Sequence, residues 1–260
     1  MTDGEIRVER RGAVEVWTIE GEARRNSITM AFIAALGANL GRAAGDRALR
    51  CVVVTGAGDK AFCAGADLKE RARMSPDEVH AFHRGLRGAL RAIEQAPQPV
   101  VAALNGAALG GGLELALACD LRVMADSAQA GLPEVSLGII PGAGGTQRLA
   151  RLVGLGRAKD VVMRRKRISA GDALAWGLVS EIVPAAELDA AVDRVLADLV
   201  ELSPLALSMA KRVLNHVYDG PLPVGLELEG LAYGLLRSTH DFREGVEAFD
   251  EKRPPRFQGR

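Results

Sequence analysis

Two carboxylates stand out by their company. Glu114 sits in Gly110-Gly111-Gly112-Leu113-Glu114-Leu115-Ala116-Leu117-Ala118. Glu134 follows Pro133 and precedes an apolar run that reads as buried and ends in Pro141-Gly142-Ala143-Gly144-Gly145. Acids are mostly found in water, so two of them in apolar surroundings, one just past a glycine turn that opens a helix, suit catalysis. The start of a helix offers unpaired N–H groups and the positive end of the helix dipole. Glycine lets a substrate oxygen approach those donors closely. Negative charge developing on a carbonyl oxygen would be stabilised there as in an oxyanion hole, and an acid of raised pKa beside it could carry a proton. On spacing alone, Glu114 reads equally well as a first-turn acid favoured by the dipole and exposed to water.

The elements that must position these acids are readable from periodicity. An apolar strand over 100–104 leads through Asn105-Gly106 into the glycine turn, and an Ala/Leu-rich helix follows. Upstream, Ile6, Val8, Val14, Val16 and Thr18 alternate with polar residues around Arg11-Gly12, which predicts a β-hairpin. Phe32, Ile33, Leu36 and Leu40 have helical spacing, and 51–55 reads as a short buried strand. Gly56-Ala57-Gly58-Asp59-Lys60-Ala61 mimics a dinucleotide-binding fingerprint. That fingerprint should open a helix directly, whereas here a second glycine turn, Ala64-Gly65-Ala66-Asp67, intervenes. The second turn also reads as a simple bend with Asp67 as a helix cap. Ser75-Pro76-Asp77-Glu78 is a capping box with proline at the first helical position, and Pro97 and Pro99 stop the helix it starts. His80 and His83 on that helix lack acidic or cysteine partners at ligand spacing, so no metal site is expected. Ser169 and Asp172 start another helix, and 178–183 reads as a short last strand. From Ala186 onward the chain reads as helical: a stripe of Leu188, Val192, Val195 and Leu199, a helix from Ser203-Pro204 carrying Lys211, a third over 226–236, and a last one capped by Asp241-x-x-Glu244.

GAALGGGLELALACDLRV, PEVSLGIIPGAGGTQRLARLVG and AFCAGADLKE resemble, in the right order, three motifs of the enoyl-CoA hydratase/isomerase (crotonase) family, and the similarity runs from RRNSIT to FDEKRPPRF. FCAGADLKERARM, ALGGGLELALACD and EKRPPRFQG are most similar to the 3-methylglutaconyl-CoA hydratase branch, with departures at Arg73 and at Pro133-Glu134. The residues alone support α/β with a helical C-terminus. The resemblance implies more: an α/β fold built as a β-β-α superhelix over 1–185, with a helical, trimerising region over 186–260.

It also implies a hydro-lyase acting on an enoyl-CoA in leucine metabolism, with 3-methylglutaconyl-CoA favoured. A general short-chain hydratase, or an isomerase of the same fold, is the alternative. The resemblance assigns the N–H groups of Ala66 and Gly111 to the oxyanion hole, Glu114 to activating water and Glu134 to delivering a proton to Cα. Around coenzyme A it implies Arg24, Arg25, Ala64, Asp67, Leu68, Lys69 and Gly110, with Phe249 and Lys252 reaching over from a neighbouring subunit. No cofactor is implied, coenzyme A being part of the substrate. A second carboxylate on the acyl group would need a cation or several donors. Arg71, Arg73, His240 and Lys69 are the candidates.

Composition fits such an enzyme. With 260 residues the chain suffices for one large domain or one with a small appendage. The 33 Lys+Arg balance the 33 Asp+Glu, so no strong attraction to nucleic acid or membrane follows. The related branch includes a protein that binds AU-rich RNA through lysines of an early helix. Residues 30–44 here hold Arg42 and no lysine, so no RNA binding is expected. Cys51, Cys63 and Cys119 lack CxxC spacing, the first residues lack a signal pattern, and no apolar run reaches membrane-span length. Together these predict reduced thiols and a cytoplasmic location. The apolar tail helices predict an oligomer, a trimer or a dimer of trimers by resemblance.

Overall fold

Residues 5–260 are described by a computed structural model. β1 (Ile6–Arg11) and β2 (Val14–Ile19) form the predicted hairpin. A 3-10 turn over Glu22–Arg24 leads to α1 (Met30–Gly45), which Thr29 caps and which buries Phe32, Ile33, Leu36 and Leu40. β3 (Cys51–Gly56), β4 (Ala61–Cys63) and the single turn α2 (Leu68–Arg71) follow. α3 (Pro76–Gln95) begins with both hydrogen bonds of the Ser75–Glu78 capping box. Then come β5 (Val100–Leu104), β6 (Ala107–Leu109), α4 (Gly111–Ala118), β7 (Leu121–Ala125) and β8 (Gln129–Gly131). α5 (Gly145–Val153), α6 (Leu155–Met163), β9 (Ile168–Ser169), α7 (Ala170–Ala175) and β10 (Glu181–Val183) complete the α/β part. Four helices end the chain: α8 (Leu188–Val200), α9 (Pro204–Asn215), α10 (Leu222–Arg237) and α11 (His240–Asp250).

Two sheets form, in the orders β1-β2-β3-β5-β7-β10 and β4-β6-β8-β9. All pairings within them are parallel except β1 with β2 and β8 with β9. The chain therefore visits the large sheet, then the small one, then a helix, three times in succession. This is the β-β-α spiral. Burial on both faces explains why residues 51–54 of β3 and all of β5 are apolar. Val52, Val54, Val100, Ala102 and Leu104 face the core between sheets and helices, while Cys51, Val53, Val101 and Ala103 face a second core under α8. α8 thus belongs to the packed body, with Leu188, Ala191, Val192 and Leu196 buried.

As the intervening glycine turn implies, Gly56 ends β3, and β4, not a helix, comes next, so the dinucleotide fingerprint has no helix N-terminus to serve it. Two expectations need correction. The run after Glu134 is not buried: Leu137 and Ile140 are 55% and 67% exposed, because the segment lies in a 3-10 turn and loop at the rim of a groove. Thr239, not Asp241, caps α11. Asp241 is buried and accepts from Ser203 Oγ and from the N–H groups of Gln258 and Gly259, tying the C-terminal tail to the start of α9.

Candidate active site

The site is built where the second sheet delivers the chain into α4. Gly110 takes φ +53°, ψ −126°, a conformation that side chains rarely adopt, and this turns β6 into the helix. Gly112 must also lack a side chain, since a Cβ there would collide with the Cys63 carbonyl. α4 thereby lies against β4 and the Ala64–Asp67 turn.

In that turn Ile28 N–H donates to Gly65 O at 2.8 Å and Asp67 N–H donates to Ile28 O at 2.9 Å. In a parallel bridge of this kind the intervening residue, Ala66, directs its own N–H to the opposite side. A Cβ built on Gly111 would lie 3.8 Å from Ala66 N, so the two main chains are neighbours. Among the described residues neither the Ala66 nor the Gly111 N–H donates to a protein acceptor. Asp67 caps α2 by accepting from the Lys69 and Glu70 N–H groups, as the bend reading expects.

Glu114, in the first turn of α4, is 3% exposed. Its Oε1 accepts from Ala143 N–H at 2.7 Å and Gly145 N–H at 2.8 Å. Burial raises its pKa, and these two bonds and the Arg148 charge pull it back. Oε2 has no protein partner among the described residues and is not sealed from solvent. Glu134 approaches from the other side: its Oε1 would lie 3.0 Å from a Cβ on Gly110. Its pKa is pushed up to about 7, chiefly by burial, with a further rise from the charge of Glu114. Its Oε2 is buried without a partner. The two acids therefore bracket the amino end of α4 in different protonation environments. Burial also pushes the three thiols up to about 12. No group of three or more His, Cys, Asp or Glu able to hold a metal occurs among the described residues.

With this geometry in place, comparison with known proteins gives the class. Residues 9–260 match the enoyl-CoA hydratase/isomerase family. The human mitochondrial methylglutaconyl-CoA hydratase is 40% identical over 99% of this chain and 78% of its own length. The short-chain-enoyl-CoA hydratase of Clostridium acetobutylicum is 38% identical over 95% of this chain and 94% of its own. The crystal structure of an enoyl-CoA hydratase from Bacillus anthracis superposes with a TM-score of 0.96 at 43% identity, covering 98% of this chain and 100% of that one. The chain belongs to the enoyl-CoA hydratase/isomerase family, whose enzymes act on acyl-CoA thioesters, and it has the crotonase fold.

The residues expected around coenzyme A divide. Arg25 is exposed, and its carbonyl accepts from Ala64 N–H at 3.0 Å, which brings it beside the Ala66 turn. Arg24 is instead engaged by Glu5 and by Glu20 O. Leu68 and Lys69 are exposed on α2, one turn beyond Ala66. Phe249, 83% exposed, and Lys252 sit at the end of α11, with no hydrogen bond or ion pair to this cleft among the described residues. Arg71 lies over the Phe82 ring, and Arg73 is exposed. His240 belongs to the Asp241 cluster at the C-terminus, with Nδ1 3.9 Å from Asp241 Oδ1.

Sequence reasoning missed the donors to Glu114 and the clamp behind them. Arg148 donates to both carboxylate oxygens of Glu94, at 2.6 and 2.8 Å, and to Ala143 O at 2.7 Å, locking the 143–145 loop to α3. The Pro141–Gly145 turn was the available signal. The described helices include none long and apolar enough to cross a membrane. Arg42, the cation of α1, is spent on Glu15 through two hydrogen bonds of 2.8 and 2.6 Å.

Proposed function

We propose that this enzyme adds water across the α,β double bond of an enoyl-CoA, and runs the reverse dehydration, with 3-methylglutaconyl-CoA as the favoured acyl group. The observation that carries the reading is the pair of unequal acids flanking two unpaired main-chain N–H groups. The thioester oxygen binds between Ala66 and Gly111 N–H, which stabilise the enolate-like charge; one such donor typically contributes ~10² to 10³ in rate. Polarisation makes Cβ electrophilic. Glu114, whose two backbone donors favour its charged form against the burial that opposes it, accepts a proton from water through its free Oε2 as the water oxygen bonds to Cβ. Glu134, protonated near neutrality, gives its proton to Cα. The C=C bond becomes single, and the two carboxyls then re-exchange their proton with solvent. An isomerase would need no activated water, and a second buried acid with an open oxygen would then have no task.

Coenzyme A serves as the handle, its remote binding energy orienting the acyl group. Arg25, Lys69 and Leu68 are positioned to line its path. The 40% identity to a methylglutaconyl-CoA hydratase over nearly the whole chain supports the acyl choice. The exposed apolar face of the C-terminal helices supports assembly into trimers or dimers of trimers. The test is turnover of crotonyl-CoA against 3-methylglutaconyl-CoA, followed by loss of enoyl-thioester absorbance. Higher kcat/KM for the latter is expected. Preference for crotonyl-CoA would leave the hydratase and remove the acyl assignment.

A further inference from the structure

Two grooves meet at the loop that holds Glu114. One runs between α3 and the loop after Glu134, walled by His83, Arg87, Val135, Ile139 and Gly142 among others. The other lies behind the same loop, with Arg87, Arg91, Ala143, Gly144 and Arg148 in its walls. Arg87 lines both. We propose, building on the hydratase reading above, that Arg87, with His83 beside it, receives the distal carboxylate of a dicarboxylic acyl thioester.

Position argues for this first. The loop wall of the first groove starts at Val135, next to Glu134, and ends at Gly142, one residue before the N–H that holds Glu114. The loop that walls this groove thus runs from one acid to the donor of the other, and an acyl chain held between the two acids would extend along it. The wall chemistry argues next. Its other residues are apolar or glycine, apart from His80, whose Nδ1 is bonded to Pro76 O at 2.8 Å. No carboxylate lines it. Arg87 is exposed and has no ion pair or hydrogen bond among the described residues, whereas Arg148 is fully spent on Glu94 and Ala143 O. His83 stands against the loop, its Nδ1 3.2 Å from where a Cβ on Gly142 would be. Burial, then Arg71, His80 and Arg87, lower the pKa of His83: this wall carries positive charge that no acid balances. A planar guanidinium meets a carboxylate with two parallel hydrogen bonds. The apolar loop residues would hold the carbons between.

The test compares kcat/KM for 3-methylglutaconyl-CoA and crotonyl-CoA in the wild type, Arg87→Gln and Arg87→Lys. Both thioesters carry the same coenzyme A, so their ratio isolates the distal carboxylate. Arg87→Gln is expected to lower that ratio by about 10- to 100-fold, mainly through KM, the usual worth of a charged hydrogen bond. Arg87→Lys should recover part of it. An unchanged ratio, or an equal loss on both substrates, overturns the assignment. If the wild type turns over crotonyl-CoA but not the dicarboxylic thioester, the inference falls together with the acyl assignment, and the hydratase reading stands. If it hydrates neither, the hydratase reading falls with it.

Discussion

At the scale of single residues the fold spends stability to keep Glu134 ready. Its folded pKa of about 7 lies above the ordinary carboxyl value of 4.5. The native state therefore holds a proton that the unfolded chain releases first. That contribution to stability is complete below about pH 4.5 and is lost as pH rises through about 7. Glu134→Gln keeps the shape and removes the titration. We expect its Tm to match the wild type near pH 4.5 and to exceed it by roughly 2 to 6 °C at pH 8, after discounting for water that reaches the side chain. The same variant should lose about 10² to 10⁴ in hydration kcat. In the wild type, hydration should decline as pH rises past about 7 if Glu134 is the proton donor, as proposed. Thermal scans at the two pH values, with a pH–rate profile, check both halves. A variant that is no more stable at pH 8 than the wild type contradicts the raised pKa of the Glu134 carboxyl. Glu114 differs because the Ala143 and Gly145 N–H groups offset part of its burial, which still raises its pKa. No side chain announces those donors, so the sequence marked the acid and missed what holds it.

At the scale of elements, the setting of Glu114 depends on how α3, α5 and the loop between Pro141 and Gly145 are fastened together. Arg148 on α5 grips Glu94 on α3 with two parallel hydrogen bonds and the loop carbonyl of Ala143 with a third. It touches no reacting atom and is a positioning residue. Arg148→Lys keeps the charge but cannot reproduce the fork. We expect kcat to fall by about 10- to 100-fold with KM nearly unchanged, since the loop then holds Glu114 less accurately. Arg148→Lys combined with Glu94→Gln should cost less than the sum of the two, with a coupling of about 0.5 to 3 kcal/mol in urea unfolding. Strict additivity would mean the clamp is not one unit. The elements themselves were largely legible. α3 was framed by Ser75-Pro76 and the prolines at 97 and 99, and β3 and β5 by continuous apolar runs. The three-residue strands β6 and β8 and the two-residue β9 were not, because their pairing joins residues far apart in the chain and leaves no local period. The apolar loop 135–142 misled for a related reason: hydrophobicity marks both a core and the rim of a groove.

At the scale of the whole molecule, the body and the tail obey different rules. α9 is anchored: Lys211 Nζ pairs with Asp120 at 2.7 Å and donates to Ile93 O and Gln98 O at 2.9 and 3.0 Å, all in a buried setting. α10 has no buried residue at all, yet Leu222, Leu226, Leu231, Tyr233 and Leu235 are each more than half exposed. Leu214 near the end of α9 and Tyr218 just beyond it extend the same character. An exposed apolar surface of that extent supports the self-assembly proposed above, identical chains being the simplest source of a surface that fits. Burial of these side chains, at about 25 cal/mol per Å² of apolar area, would offset the cost of association. Leu231→Glu with Leu235→Glu places two charges on the face that the proposed assembly would bury. We expect light scattering to give a multiple of the chain mass for the wild type and a single chain for the double variant, whose Tm should then no longer rise with protein concentration. Phe249 and Lys252, which make no contact with the cleft of their own chain, give the test a second consequence. If they reach a neighbour's coenzyme A, dissociation should raise KM for every acyl-CoA by a similar factor. A wild type that sediments as one chain would remove the assembly, and the role of those two residues with it.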